Sequence, residues 1–102
     1  MLVTMKEILD RASEGNYAVA APNVSNEINT RAAIEAAEDM NAPLILDVAF
    51  MAATDIDFIG RMLRELAEQA SVPVAINLDH GGSVEQVQKA IKAGFTSVMI
   101  DC

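Results

Sequence analysis

The chain has 102 residues, 15 acidic and 7 basic, and a formal net charge of −8. That length admits one small domain, and a hydrophobic content of 52% excludes disorder driven by low hydrophobicity and high charge. The acidic balance argues against nucleic acid and against an anionic membrane surface as partners, because both need clustered Lys and Arg.

No apolar run reaches the ~18 residues of a membrane-spanning helix. The opening stretch MLVTMKEILDRASEG carries acids where a signal peptide would be apolar. The single cysteine, Cys102, cannot form an internal disulfide. These features lead us to expect a globular protein of the cytoplasm.

In chain order, the first predicted element is a helix from Met5 to about Glu14, stopped by Gly15-Asn16. Tyr17–Ala21 follows as a short apolar strand ending at Pro22-Asn23. Ser25 or Asn26 caps a helix whose inner face uses Ile28, Ala32, Ile34, Ala36 and Ala37, and Asn41 with Pro43 ends it. Leu44–Val48 is a second strand. The clearest helix repeats Ile59, Met62, Leu63, Leu66, Ala67 and Ala70 at three- and four-residue spacing. Val74–Leu78 is a third strand, running into Asp79-His80-Gly81-Gly82. Ser83 and Gln86 have the spacing of a capping box and open a helix to about Ala93, with Gly94 as its left-handed stop. Ser97–Ile100 is a fourth strand, followed by Asp101.

Strands and helices alternating at this pitch predict parallel βαβ units in an α/β fold. The strands read as apolar throughout, as in a sheet covered on both faces. A small open sheet and the amino-terminal half of a (β/α)8 barrel, which typically needs about 250 residues, both fit four parallel strands with intervening helices. The half-barrel is preferred, because no helix follows Ile100 to cover a last open strand.

Ligands in such folds sit at the carboxyl ends of strands, where the chain places Asn23, Ala49-Phe50, Asp79-His80 and Asp101. Asp79-His80 stands out: imidazole is a common metal ligand, and a neighbouring carboxylate can orient it or act as acid and base. A lone histidine at a strand end is nonetheless more often a capping or hydrogen-bonding residue, and a metal site takes further donors, for which Cys102 and the acids are available. Gly81-Gly82-Ser83 could offer backbone N–H groups to a phosphate, although a tight turn with a good cap explains it as well. Neither a GxGxxG nor a GxxxxGK[ST] fingerprint occurs. A Ser-His-Asp triad lacks its GxSxG elbow, and adjacent Asp79 and His80 would point to opposite faces of a regular strand. The six methionines read as core filler.

The segments LVTMKEILDRASEGNYAV, APLILDV, VPVAINLDHGGS and AIKAGFTSVMID together resemble the amino-terminal part of class II, metal-dependent ketose-bisphosphate aldolases, which include fructose- and tagatose-bisphosphate aldolases. The resemblance implies that Asp79 is the catalytic acid/base. It implies that His80 is the first of the family's histidine ligands to a catalytic Zn2+, and that Asp101 belongs to a second site for a divalent or monovalent cation. It implies that Asn23 lies against substrate, a phosphorylated ketose such as fructose 1,6-bisphosphate, and that the whole enzyme is a homo-oligomer. Zinc chemistry would replace the lysine Schiff base of covalent aldolases.

The chain departs from the family's pattern at Ala49, where many relatives carry serine near the aldehyde half of the substrate. Pro22 stands where an aromatic residue is common, and Gly82 where serine is frequent. The family's other zinc histidines and phosphate-gripping loops would lie beyond residue 102, so residues 1–102 are expected to be an amino-terminal portion with an incomplete site. The alternatives are a catalytically incomplete half-barrel acting through self- or trans-assembly, and a small doubly wound binding domain.

Overall fold

The computed structural model describes residues 1–52 and 55–101. Its elements are α1 (Met5–Gly15), α2 (Glu27–Asp39), β1 (Leu44–Ala49), a 3-10 turn (Phe50–Ala52), α3 (Ile56–Gln69), β2 (Val74–Gly81), α4 (Val84–Ala93) and β3 (Ser97–Ile100). The strands form one parallel sheet in the order β1-β2-β3. No described helix is long and apolar enough to cross a membrane.

Each helix begins where a short polar side chain satisfies an amide that the helix leaves unpaired. Thr4 Oγ1 accepts from Glu7 N at 3.2 Å, Asp55 Oδ1 from Phe58 N at 3.1 Å, and Ser83 Oγ from Gln86 N at 3.2 Å. Asn26, one of the two expected caps, exchanges side-chain bonds with Asn29 in a reciprocal capping box. α1 and α4 stop at left-handed residues, with φ of 55° at Asn16 and 99° at Gly94.

Three strands form instead of the expected four among the described residues. The segment predicted as the first strand lies beside β1 but touches it only through single bridges, Ala20 with Leu44 and Asn23 with Asp47. Ala20 O accepts from Ile45 N and Pro22 O from Asp47 N, both at 3.0 Å, and Val24 N donates to Asp47 O at 2.9 Å. In this parallel pattern the missing bond is the one from residue 22 to the carbonyl of Ile45, and Pro22 has no N–H to give. Proline therefore splits the ladder into two bridges.

The inner face of α2 also differs from the expected one. Ile28 is 81% exposed, and Ala32 and Ala36 are exposed as well. Ile34 and Ala37 turn inward as expected, but Thr30 joins them in place of the other three, with Ala33 beside them. Both stripes satisfy helical spacing; Thr30 wins a place in the core because its hydroxyl bonds Asn26 O at 2.7 Å and needs no outside partner.

The main core lies between one sheet face and helices α2 to α4, and includes Leu46, Val48, Ile76 and Leu78 with Ile34, Leu63, Ala67 and Ala90. The other face is only partly apolar. Ile45 and Ala75 pack there with Ile8 of α1 and with Val3, Met5 and Val19. Further along the strands that face becomes polar, contrary to the uniformly apolar strands expected.

Candidate active site at the carboxyl ends of the strands

Alternation along β1 and β2 sends Asp47, Ala49, Asn77 and Asp79 to the face opposite α2–α4. Pairing sets Asp47 beside Asn77, Asn77 beside Ser97, and Ala49 beside Asp79. Asn77 Nδ2 donates to Asp47 Oδ1 at 2.7 Å, and Ser97 Oγ donates to Asn77 Oδ1 at 2.8 Å. A hydrogen-bonded row thus crosses all three strands. Asn23, bridged to Asp47, extends the same row and is exposed.

The next level holds Asp79, His80 and Asp101. On a regular strand, adjacent Asp79 and His80 would diverge, but β2 is not regular here. Its pairing with β3 slips between Leu78 and Gly81, and His80 takes a φ of 56°. One extra residue in β2 and a left-handed backbone swing the imidazole back toward Asp79, as bulges beside functional sites do. His80 Nε2 then lies 3.8 Å from Asp79 Oδ1, and His80 Nδ1 meets Asp101 Oδ2 at 2.5 Å. Gly81 makes the slip possible, because a Cβ there would stand 2.5 Å from Met99 O.

The bond to Asp101, reinforced by the charges of Asp79 and Asp47, raises the His80 pKa above its ordinary 6.5. Burial raises the Asp47 carboxyl above its ordinary 3.8, while the Asn77 donor works in the opposite direction. The ring is therefore an oriented base between two carboxylates. Asp101 on Nδ1 fixes the tautomer that leaves Nε2 free, the arrangement usual for a zinc-ligating histidine.

One imidazole is one ligand. Among the described residues no three His, Cys, Asp or Glu side chains converge as a metal-holding group, and Cys102 lies outside the described residues. The turn after β2 meanwhile loses a phosphate donor: Gly82 N donates to Gln86 Oε1 at 2.8 Å. Only half of the expected capping box forms: Ser83 caps Gln86 N, while the Gln86 side chain takes the amide of Gly82 in place of that of Ser83.

Residues 3–102 match the family model described as fructose-bisphosphate aldolase class-II. The chain belongs to the class II fructose-bisphosphate aldolase family. It is 49% identical over 102 residues to the fructose-bisphosphate aldolase of Thermus caldophilus, covering 99% of this chain and 33% of that protein. Against the fructose-bisphosphate aldolase of Staphylococcus aureus it is 45% identical over 107 residues, covering 98% of this chain and 37% of that protein. The fold superposes on the crystal structure of the YdjI aldolase of Escherichia coli K12 with a TM-score of 0.93 at 32% identity, covering 100% of this chain and 39% of that one. A putative fructose-1,6-bisphosphate aldolase from Coccidioides immitis gives 0.86 at 28% identity, covering 95% and 35%. The chain thus spans 33–39% of the length of these aldolases.

Of the residues singled out in the sequence, Asp79, His80 and Asp101 come together, while Asn23 stands a row below them at the sheet edge. Asp47, Asn77 and Ser97 went unrecognised. Their signal was a polar residue at the same phase of two apolar strands, Asp47 in LILDV and Asn77 in VAINL.

Proposed function

We propose that the aldolase to which residues 1–102 contribute is a zinc-dependent lyase. It would cleave a ketose 1,6-bisphosphate such as fructose 1,6-bisphosphate to dihydroxyacetone phosphate and glyceraldehyde 3-phosphate. The observation that carries this reading is the imidazole of His80 clamped at Nδ1 by Asp101 with Asp79 beside Nε2, at the end of β2 in a chain of this family.

His80 would supply one metal ligand through Nε2, with the remaining ligands coming from outside these residues. The (β/α)8 barrel completed by the rest of the enzyme would bring them to the same rim. When bound, zinc supplies Lewis acidity toward the ketose carbonyl. Asp79 would take the proton from the hydroxyl at the bond being broken and return it in the reverse direction. Asp101 would hold the His80 ring and stay available to a second cation, and Asn23 would contact substrate from the edge.

Metal analysis and a cleavage assay on the whole enzyme test this division of labour. His80→Ala should abolish bound zinc. Asp79→Ala should keep the metal and lower kcat by roughly 100- to 10,000-fold, the usual range for a lost acid/base. Equal metal loss in both variants, or turnover indifferent to Asp79, would refute the assignment.

A further inference from the structure

The polar face of the sheet is built in tiers that rise toward the strand ends. Ile45 and Ala75 form an apolar floor over α1. Asp47, Asn77 and Ser97 form the middle tier, and Ala49 with Asp79 the next. Successive tiers are two residues apart, about 6–7 Å along a strand. A chain of two carbons plus its oxygens bridges such a step.

The middle tier links the three strands, but the sheet does not require a carboxylate to do so. The neighbouring floor shows that apolar side chains fill this face well, and a half-buried carboxylate is a costly choice where they would serve. Asp47 has no lysine or arginine partner among the described ion pairs, and burial already disfavours its charge. Its Oδ1 is occupied by Asn77, which Ser97 fixes from the far side. No described protein donor meets Oδ2. No buried side-chain oxygen or nitrogen is left unpaired among the described residues, so within residues 1–102 Oδ2 keeps access to the space above the sheet. An ionised carboxylate accepts hydrogen bonds and donates none. Held rigidly below Asp79, it suits a hydroxyl and repels a phosphate.

We propose that Asp47 is a specificity-determining residue whose Oδ2 accepts a hydrogen bond from a hydroxyl on the aldehyde half of the substrate. That hydroxyl lies one or two carbons from the one served by Asp79, and Asn77 and Ser97 are the positioning residues that aim the carboxylate. The inference rests on the aldolase reading above, since it takes Asp79 as the group at the breaking bond.

The test is aldol condensation by the whole, zinc-loaded enzyme, with dihydroxyacetone phosphate as donor and either glyceraldehyde or propionaldehyde as acceptor. The readout is the ratio of the two kcat/KM values. Asp47→Ala should lower the preference for glyceraldehyde by about tenfold or more, the range for a hydrogen bond to a charged group. Asp47→Leu, which fills the space with no acceptor and no buried charge, should do the same and decides the matter if the alanine variant misfolds. Asp47→Asn, which keeps an acceptor, should restore part of the preference. A ratio within about twofold of the parent in Asp47→Leu would overturn the role of Asp47 alone. Absence of condensation with either acceptor in the unaltered enzyme would overturn the aldolase reading, and this inference with it.

Discussion

Asn77 is the hinge of the polar row, and its removal gives the sharpest prediction about stability. The side chain is 7% exposed and makes two bonds, donating to Asp47 Oδ1 at 2.7 Å and accepting from Ser97 Oγ at 2.8 Å. The first is charge-assisted and contributes about 1.5–3 kcal/mol, the second about 0.5–1.5 kcal/mol. Asp47 is only half-buried, so water entering the vacated space recovers part of the loss. Asn77→Ala should therefore destabilise the protein by about 2–3 kcal/mol. Urea unfolding reads this as a lower midpoint at unchanged slope. In a double-mutant cycle with Asp47→Ala, the second substitution should cost about 1 kcal/mol less once the first has been made. A loss below about 0.5 kcal/mol, or strict additivity of the pair, would refute a row that works as a unit.

Three further outcomes follow from the same geometry. Burial raises the Asp47 pKa, so the contribution of this group is fully present below its unfolded value near 3.8 and is lost as pH rises through the folded value. Asp47→Asn should accordingly raise the Tm at neutral pH, with the gain disappearing in acid; an Asn variant less stable at pH 7 would contradict the burial argument. His80 should titrate above 6.5 by NMR, and Asp101→Asn should bring it down, because the Asp101 bond is the largest cause of the rise. The associated stability is present below pH 6.5 and fades as pH climbs through the folded value; an unmoved titration in the Asn variant would remove Asp101 from its place on the ring. Gly81→Ala should cost about 1–3 kcal/mol, since its Cβ would meet Met99 O at 2.5 Å and Val87 Cγ2 at 2.9 Å. Full stability of that variant, measured by the same unfolding, would show that β2 and β3 are less closely apposed than described.

Helix ends and the main apolar stripe were legible because their causes are local. The cap at Ser83, the left-handed stop at Gly94 and the α3 stripe of Ile59, Leu63, Leu66 and Ala67 each depend on residues within one or two turns. Asp79, His80 and Asp101 were found because they stand at strand ends and in segments shared with a known family. The inner face of α2 was legible only in part: Ile34 and Ala37 are buried as expected, but Ile28 and Thr30 both satisfy helical spacing and only packing against β1 and α3 chooses between them.

The sequence by itself therefore determined the alternation of elements, their caps, the membership of the family and the position of the candidate site residues along the chain. Tertiary structure decided how those residues face one another. The slip in β2 that turns His80 toward Asp79 depends on pairing with a strand some twenty residues away. The row from Asp47 through Asn77 to Ser97 exists only once three segments fall into register. Proline at residue 22 was visible from the start, but its effect required knowing that the amide it lacks belonged opposite Ile45. Caps and stripes are set by neighbours along the chain, whereas register is set by partners across the sheet, and the chemistry proposed here lies in the register.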